Sequence, residues 1–439
     1  MKRIVFYIFM NVFISPLFAF TISELIENAF QNNIEVIEAE KKYSEALLST
    51  QSISIDYSPE LLLSSNIKPA ENYLWNRTVE EMGADISYKQ TIPGGTSFSF
   101  TGKFYCEVSG EGKFLIQKPE WNIELTQSLL PFWIQGISAD PEKEMLKNEM
   151  KYYYYRLLYV KKTILQQIIH DYAYAMIYKN QIYIDENMIK LLEKQISVNE
   201  GLKNIGASNL TEINQLELSK WTYDEDLISV KSEYLHYINS LKIICGVDFN
   251  EKEFENQIAL EDLTDELSSS IYDEIRKIDP EKANFQIRIE NFKNNQILEK
   301  QKASPELMFL IQSSSQISVG INFSPYFKYL INRTGRKTEL QNFQLQQEYQ
   351  TYIEQLRYKQ TLYNSLINNY LTQLSNITLL LESRKKEQSD YKKMYDLGFI
   401  SELEYESKKI QMENCEYSKR IIECYIWMYE QIYNLDNVK

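Results

Sequence analysis

The chain is poor in the residues that carry most enzyme chemistry. It has 2 histidines and 4 cysteines in 439 residues. His170 and His236 each sit inside a helical pattern, with no zinc spacing, phosphate-cradling glycine loop or nucleophile and base pair around them. Cys106, Cys245, Cys415 and Cys424 form no CxxC pair and are read as four isolated thiols, with a Cys245 bridge to the last helix as the alternative. The sequence therefore predicts no catalytic, cofactor-binding or metal-binding residues, and no enzyme. Basic charge is also scarce. With 47 Lys and Arg against 61 Asp and Glu, the formal charge of −14 leaves no basic excess for phosphates and argues against a nucleic-acid partner. Past the N-terminal run no stretch approaches the roughly 20 apolar residues of a membrane helix. A mature chain that enters a membrane must do so as strands.

The N-terminus is the exception to that scarcity. Lys2 and Arg3 precede an apolar run from Ile4 to Phe20, broken by Asn11, Ser15 and Pro16, and the polar Thr21-Ile22-Ser23-Glu24 follows. That is the layout of a signal peptide over 1-19, with cleavage after Ala19. No cysteine follows the run, so no lipid anchor is expected.

What is abundant is helical periodicity. Leu345, Tyr352, Leu356, Tyr363, Leu366, Tyr370 and Leu374 recur at spacings that mark one helix face, and no proline interrupts Thr334 to Tyr395. About 60 residues at roughly 1.5 Å each predict a rod about 90 Å long. It ends at Leu397-Gly398-Phe399-Ile400-Ser401-Glu402-Leu403-Glu404, where Gly398 can close a helix in the left-handed conformation and Ser401 can cap the next one. Glu402 and Glu404 then suit the positive helix end.

The corner is repeated. Ile205-Gly206-Ala207-Ser208-Asn209-Leu210-Thr211-Glu212 aligns with it at an offset of 192, Gly206 on Gly398, Asn209 on Ser401 and Glu212 on Glu404. Ser58-Pro59-Glu60-Leu61 likewise returns as Ser304-Pro305-Glu306-Leu307, and Leu130-Pro131-Phe132-Trp133 is echoed by Ser324-Pro325-Tyr326-Phe327. The chain reads as a duplicated unit.

The first repeat spans 20-247. It has a helix from Thr21 to about Ile55, strands over about 60-130, a long helix from about Asp140 to Gly201, the corner at 205-209, and a helix from about Asn209 to Ile244 capped by Gly246. An acidic linker covers 248-269. The second repeat, 270-439, follows the same plan with a helix from about Ser270 to Lys302, strands at about 305-324, a rod, the corner at 397-401 and a final helix to about Tyr433. In the strand stretches the period changes to two. Ile86 and Tyr88 alternate with Asp85, Ser87 and Lys89; Phe98, Phe100 and Phe104 with Ser97, Ser99, Thr101 and Lys103; Trp121, Ile123 and Leu125 with Asn122, Glu124 and Thr126. Pro93-Gly94-Gly95 and Ser109 to Gly112 read as turns. Between equivalent prolines the first repeat carries about 52 more residues than the second, 72 against 20. We expect four strands per chain, with the surplus in an extended hairpin or outer loop.

Closed membrane barrels need about eight strands or more, so several chains must contribute. Thirty-three tyrosines and 20 phenylalanines suit both a barrel interface and a packed helical seam. Trp75, Phe104, Tyr105, Trp121, Phe132, Trp133, Tyr326 and Phe327 cluster around the strands as candidates for a lipid-interface girdle.

The order of elements, the two glycine-centred corners, the Pro-Glu-Leu strand starts and the run Gly398 to Glu404 resemble the outer-membrane efflux protein family, the TolC-like channel-tunnels. The resemblance covers Thr21 to Tyr433. It implies a mainly α chain with a β-barrel portion, a homotrimer with its barrel in outer-membrane lipid and an α-helical barrel in the periplasm. It also implies an exit duct for an efflux pump or type I secretion system, served by an inner-membrane transporter and a periplasmic adaptor, with no chemistry and no cofactor of its own. The adaptor-contacting corners fall on Ile205, Gly206 and Ala207 and on Leu397, Gly398 and Phe399. The periplasmic aperture falls on Glu404 and Tyr395. A second acidic aperture position falls on Ser407 and an arginine latch on Ile400, so neither is kept here. Glu404 also fits a simpler role as a first-turn carboxylate on the helix dipole. The rival readings are an exported coiled-coil structural or adhesive protein, which leaves the strands unexplained, and a periplasmic adaptor, which would carry one hairpin rather than two.

Overall fold

The structure, a computed structural model, describes residues 22–56, 59–69, 79–92, 96–108, 114–128, 141–204, 210–248, 275, 277–302, 306–314, 316–322 and 327–436. The expected signal peptide, the corner residues Ile205, Gly206 and Ala207, the turns at 93–95 and 109–112, nearly all of the acidic linker, and Trp75, Phe132, Trp133 and Tyr326 lie outside these residues. The chain divides into two compact units. One comprises Met1–Glu40, Leu157–Pro280 and Tyr352–Lys439, the other Lys41–Arg156 and Glu281–Thr351.

The described elements run α1 (Ile22–Asn32), α2 (Ile34–Asp56), β1 (Glu60–Pro69), β2 (Val79–Ile92), β3 (Thr96–Val108), β4 (Phe114–Ile116), β5 (Glu120–Ser128), α3 (Pro141–Asn204), α4 (Leu210–Cys245), α5 (Pro280–Lys302), β6 (Glu306–Gln312), β7 (Ile317–Asn322), α6 (Phe327–Asp396) and α7 (Glu402–Asp436). The two long helices are 64 and 70 residues, and those after the corners 36 and 35. The second rod starts before the expected Thr334, and 70 residues correspond to about 105 Å. Pro141 and Pro280 open α3 and α5, where a missing N–H costs nothing because it would have no intrahelical partner.

The helix expected as one piece from Thr21 to Ile55 is two. Asn33 interrupts it: its side-chain oxygen accepts from the Glu35 N–H at 2.9 Å, a cap for α2. Its amide also donates to the Ile244 carbonyl at 3.1 Å, and the Asn32 amide to the Cys245 carbonyl at 3.4 Å. The two asparagines thus occupy the carbonyls at the end of α4. Gly246, at φ 63°, completes that end in a Schellman arrangement, its N–H on Ile243 and that of Val247 on Lys242.

In the first unit, side-chain contacts join α4 to α3, α3 to α7 and α7 to α6. Leu158, Leu165, Ile168, Ile169, Tyr172 and Met176 of α3 are buried at helical spacing and make most of the core with Ile238, Leu241, Met428 and Leu435. Ser240 donates to buried Asp171 at 2.6 Å, and Lys162 and Gln166 hold buried Asp436 at 2.8 and 2.9 Å, so the first carboxylate is hydrogen-bonded and the second ion-paired. A row of half-buried tyrosines crosses all four helices: Tyr237 stacks on Tyr174 at 5.1 Å, Tyr174 meets Tyr425 edge-on at 6.0 Å, and Tyr425 stacks on Tyr370 at 4.8 Å. Burial raises the Tyr425 hydroxyl above its usual range. All four cysteines are free thiols, and burial pushes Cys245 and Cys424 up to about 12, so no bridge links Cys245 to the last helix.

The second unit holds one antiparallel sheet in the order β1-β2-β3-β5-β6-β7, with β4 beside the end of β3. Gln117 continues that pairing by donating to the Tyr105 carbonyl at 3.1 Å, and Pro119, which has no N–H, falls between β4 and β5. β4 and β5 therefore act as one interrupted strand, and among the described residues the sheet is six strands wide. That corrects the expectation of four. The surplus residues of the first repeat do form an extended hairpin, β2–β3, but it lies within the sheet and is not an addition to a four-stranded one. The repeats join at β5 and β6, where Ile123 lies opposite Ile311 and Leu125 opposite Phe309. Alongside, Tyr43 of α2 meets Tyr154 of α3 at 5.7 Å, and Phe285 of α5 meets Tyr349 of α6 at 5.7 Å.

Candidate functional site

The sheet has two chemically different faces. The strand registers place Leu61 and Leu63, Met82, Ile86 and Tyr88, Phe98, Phe100 and Phe104, Trp121, Ile123 and Leu125, Phe309 and Ile311, and Ile317, Val319 and Ile321 all on one side. Many remain exposed: Ile317 is 72 % accessible, Val319 61 % and Leu63 70 %. Such a continuous apolar sheet face does not stay in contact with water in a stable protein. The opposite face carries Asp85, Ser87, Lys89, Ser97, Ser99, Thr101, Lys103, Asn122, Glu124, Thr126 and Ser318. The strand alternation legible in the sequence therefore becomes a two-sided sheet. Of the aromatic candidates, Phe104 and Trp121 lie on the apolar face. Tyr105 does not: it is on the polar face, over Gly83, where an added Cβ would come within 2.8 Å of its ring.

Charge on the polar face is ordered in rows. Glu60 lies opposite Lys89, and Lys103 lies between Asp85 and Glu120, each an opposite-sign cross-strand pair. Glu124 instead faces Ser99 and Leu310, and Glu306 faces Asn322. Among the residues whose side chains are described, five carboxylates against two lysines leave this face negative. At one end of it Thr101, Lys103, Glu120, Trp121, Asn122 and Gln312 line a cavity of about 410 Å³.

The corner between α6 and α7 is fully described. Gly398 has φ 77°, its N–H donates to Tyr395 at 2.9 Å and that of Phe399 to Met394 at 2.9 Å, the Schellman bonds that end α6. Ser401 and Glu404 then cap each other. The Ser401 hydroxyl accepts the Glu404 N–H at 3.2 Å, while the Glu404 carboxylate accepts the Ser401 N–H at 2.9 Å and its hydroxyl at 3.0 Å. These bonds, the backbone one first, hold the Glu404 carboxyl below its usual range. Tyr395 stacks on Tyr405 at 5.3 Å. Ser407 is half-buried one residue past Glu406, whose carboxylate pairs with Lys194. Leu397 and Phe399 are 70 % and 75 % exposed, two large apolar side chains at the tip of the hairpin.

Sequence reading missed the members of an ionic cluster behind this corner. Glu387 on α6 accepts from Lys408 of α7 at 2.6 Å and from Arg384 at 2.8 Å, and Arg384 also reaches Gln411 at 3.0 Å. The Lys408 bond is the main cause that holds the Glu387 carboxyl below its usual range. The helical spacing placed each residue on a helix, but only the pairing of the two helices brings them together.

No protein-family model and no curated protein sequence matches the chain. Solved structures do. The Campylobacter jejuni outer-membrane channel CmeC is 12 % identical, with a TM-score of 0.60 over 94 % of this chain and 86 % of that one. The outer-membrane channel OprN is 10 % identical, with a TM-score of 0.59 over 95 % and 90 %. The outer-membrane protein VceC of Vibrio cholerae is 11 % identical, with a TM-score of 0.59 over 94 % and 95 %. At such identities the likeness concerns the backbone path along nearly the whole chain. The chain therefore has the TolC-like fold of these outer-membrane proteins.

Proposed function

We propose that three copies of this chain form an outer-membrane exit duct, a passive conduit that receives substrates from an inner-membrane transporter through a periplasmic adaptor, as in an efflux pump or type I secretion system. The observation that carries the reading is the two-faced sheet. Its apolar side suits lipid hydrocarbon and its polar side a wet lumen, the arrangement a membrane barrel needs. A coiled-coil adhesin or an adaptor would have no use for such a sheet. Apolar residues exposed on α4 and α6, among them Trp221, Ile228, Leu362 and Leu379, offer flanks for neighbouring copies in a helical wall.

In this reading the corners face the adaptor, with Leu397 and Phe399 presenting apolar side chains on either side of Gly398 and Ile205, Gly206 and Ala207 as their counterparts. Glu404, with Tyr395 and Ser407 beside it, lines the periplasmic aperture. A carboxylate kept ionised by its cap would give a threefold ring of negative charge that attracts cations. The acidic excess on the polar sheet face favours cations as well.

The test is to extract the mature protein from outer-membrane fractions, measure its mass in detergent and record single channels from the same sample. A conducting, cation-preferring trimer is expected. A soluble monomer or dimer without conductance would overturn the duct.

A further inference from the structure

We infer that β1 and β7 are the joint between copies, and that three chains close an 18-strand barrel in which the β2–β3 hairpin is part of the wall. The inference rests on the exit-duct reading and adds to it the interface and the pore class.

Among the described residues the sheet is open at both ends: β1 pairs only with β2 and β7 only with β6. In hydrocarbon each unpaired backbone group costs several kcal/mol, so an open edge is not tolerated. β7 reads Ile317-Ser318-Val319-Gly320-Ile321-Asn322, without a charge or a proline, and β1 carries its charges and its proline only at its ends, Glu60, Lys68 and Pro69, while Leu61, Leu62 and Leu63 are each more than 60 % exposed. Six strands are too few to close alone.

A second copy fits both edges. All five steps across the sheet are antiparallel, so β7 runs opposite to β1 and the two edges meet as an antiparallel pair. The apolar face reaches both edges, through Leu61 and Leu63 on one and Val319 and Ile321 on the other. A joint with Leu61 or Leu63 opposite Ile321 keeps that face continuous and lays the whole of β7 along β1. Three six-strand sheets then give 18 strands, an even number as such barrels require. Since barrel diameter grows about linearly with strand number, the pore is roughly 1.5 times as wide as one built from four strands per chain.

The test pairs Leu63→Cys, and separately Leu61→Cys, with Ile321→Cys in the full-length chain carrying Cys106→Ala, the other native thiols being buried. Outer-membrane fractions are oxidised and run on non-reducing gels. A ladder ending in a covalent trimer is expected for one of these pairs and for none of the single variants, of which the Ile321→Cys chain must still reach the outer membrane. A ladder ending at dimer would mean a 12-strand barrel and overturn the inference, as would a link within one chain. Links between Ile321→Cys and Phe98→Cys in place of the β1 pairs would show β2 and β1 outside the wall, and overturn it while leaving the duct intact. Protein absent from the outer membrane overturns the duct reading first, and fractionation reports that separately.

Discussion

The two long helices, α3 and α6, come from equivalent places in the duplicated chain and are 64 and 70 residues long, yet they live in different environments. Within the first unit α3 is a core element, with Leu165, Ile168, Ile169 and Tyr172 at most 1 % exposed. α6 leaves Leu362, Leu371, Leu379 and Leu380 between 42 % and 64 % exposed. The strands diverge in the same way, four places in the sheet from the first repeat and two from the second. The lengths of the rods and of the helices that follow them are alike in the two halves. What changed is which surfaces the chain itself covers.

The sharpest way to break this contrast is a pair of truncations. Ile168→Ala should cost about 2–5 kcal/mol of stability in a chemical denaturation curve, because its methyl groups leave a cavity in a closed core. Leu379→Ala should leave the isolated chain within about 0.5 kcal/mol and instead weaken trimers in detergent. Equal losses for the two would remove the distinction between core and flank.

Next in size is a test of the sheet faces. Val319→Arg puts a charge on the apolar side and should cost about 2–4 kcal/mol near the bilayer midplane, read as loss of the protein from outer-membrane fractions. Ser318→Arg, one residue away on the polar side, should insert normally and shift the reversal potential away from cations. Similar behaviour of both variants would mean that the faces are not lipid and lumen.

The two glycine caps offer a finer comparison. At Gly398 nothing lies within 4 Å of an added Cβ, so Gly398→Ala should cost only the left-handed backbone term, about 1–2 kcal/mol. At Gly246 the same Cβ would come within 2.8 Å of the Asn32 Cβ, so Gly246→Ala should cost more and disturb the asparagine bonds that end α4. Thermal melts of the two variants, ranked against each other, check this.

The smallest effects separate cap from charge at the corner. Ser401→Ala should lose about 1 kcal/mol. Glu404→Gln retains an acceptor for the Ser401 N–H, so it should melt like the parent, while cation block in bilayers weakens because the charge is gone. An unchanged block would remove Glu404 from the aperture. Because the Ser401 backbone and hydroxyl bonds hold the folded Glu404 carboxyl below the usual carboxylate range, its contribution is present above that range and fades as the pH falls through the lower folded value. The Ser401→Ala and parent proteins should therefore converge in stability in acid.

Much of this was legible in the residues because it depends on local geometry. Alternation at Ile86, Tyr88, Phe98, Phe100, Trp121 and Ile123 determines which side chains share a face, since successive strand residues point to opposite sides wherever the strand sits. Gly398, Ser401 and Glu404 lie within seven residues, and their bonds form whatever surrounds them. Strand count was not legible in this way. Leu61-Leu62-Leu63 has no alternation, and nothing local says whether 52 surplus residues make a loop or two more strands in the wall. The break at Asn33 was hidden for a related reason, because its amide is held by a carbonyl more than 200 residues away.

By itself, then, the sequence determined the two rods with a shorter helix after each, the two faces of the alternating strands and the chemistry of the corner at Gly398, all properties of backbone period and near-neighbour hydrogen bonds. Only the tertiary structure decided that β5 pairs with β6 across the repeats, that the sheet is six strands wide with open edges, and that α3 is core while α6 is flank. Those outcomes depend on which distant segments bury each other's surface and satisfy each other's backbone, and no local pattern encodes that choice.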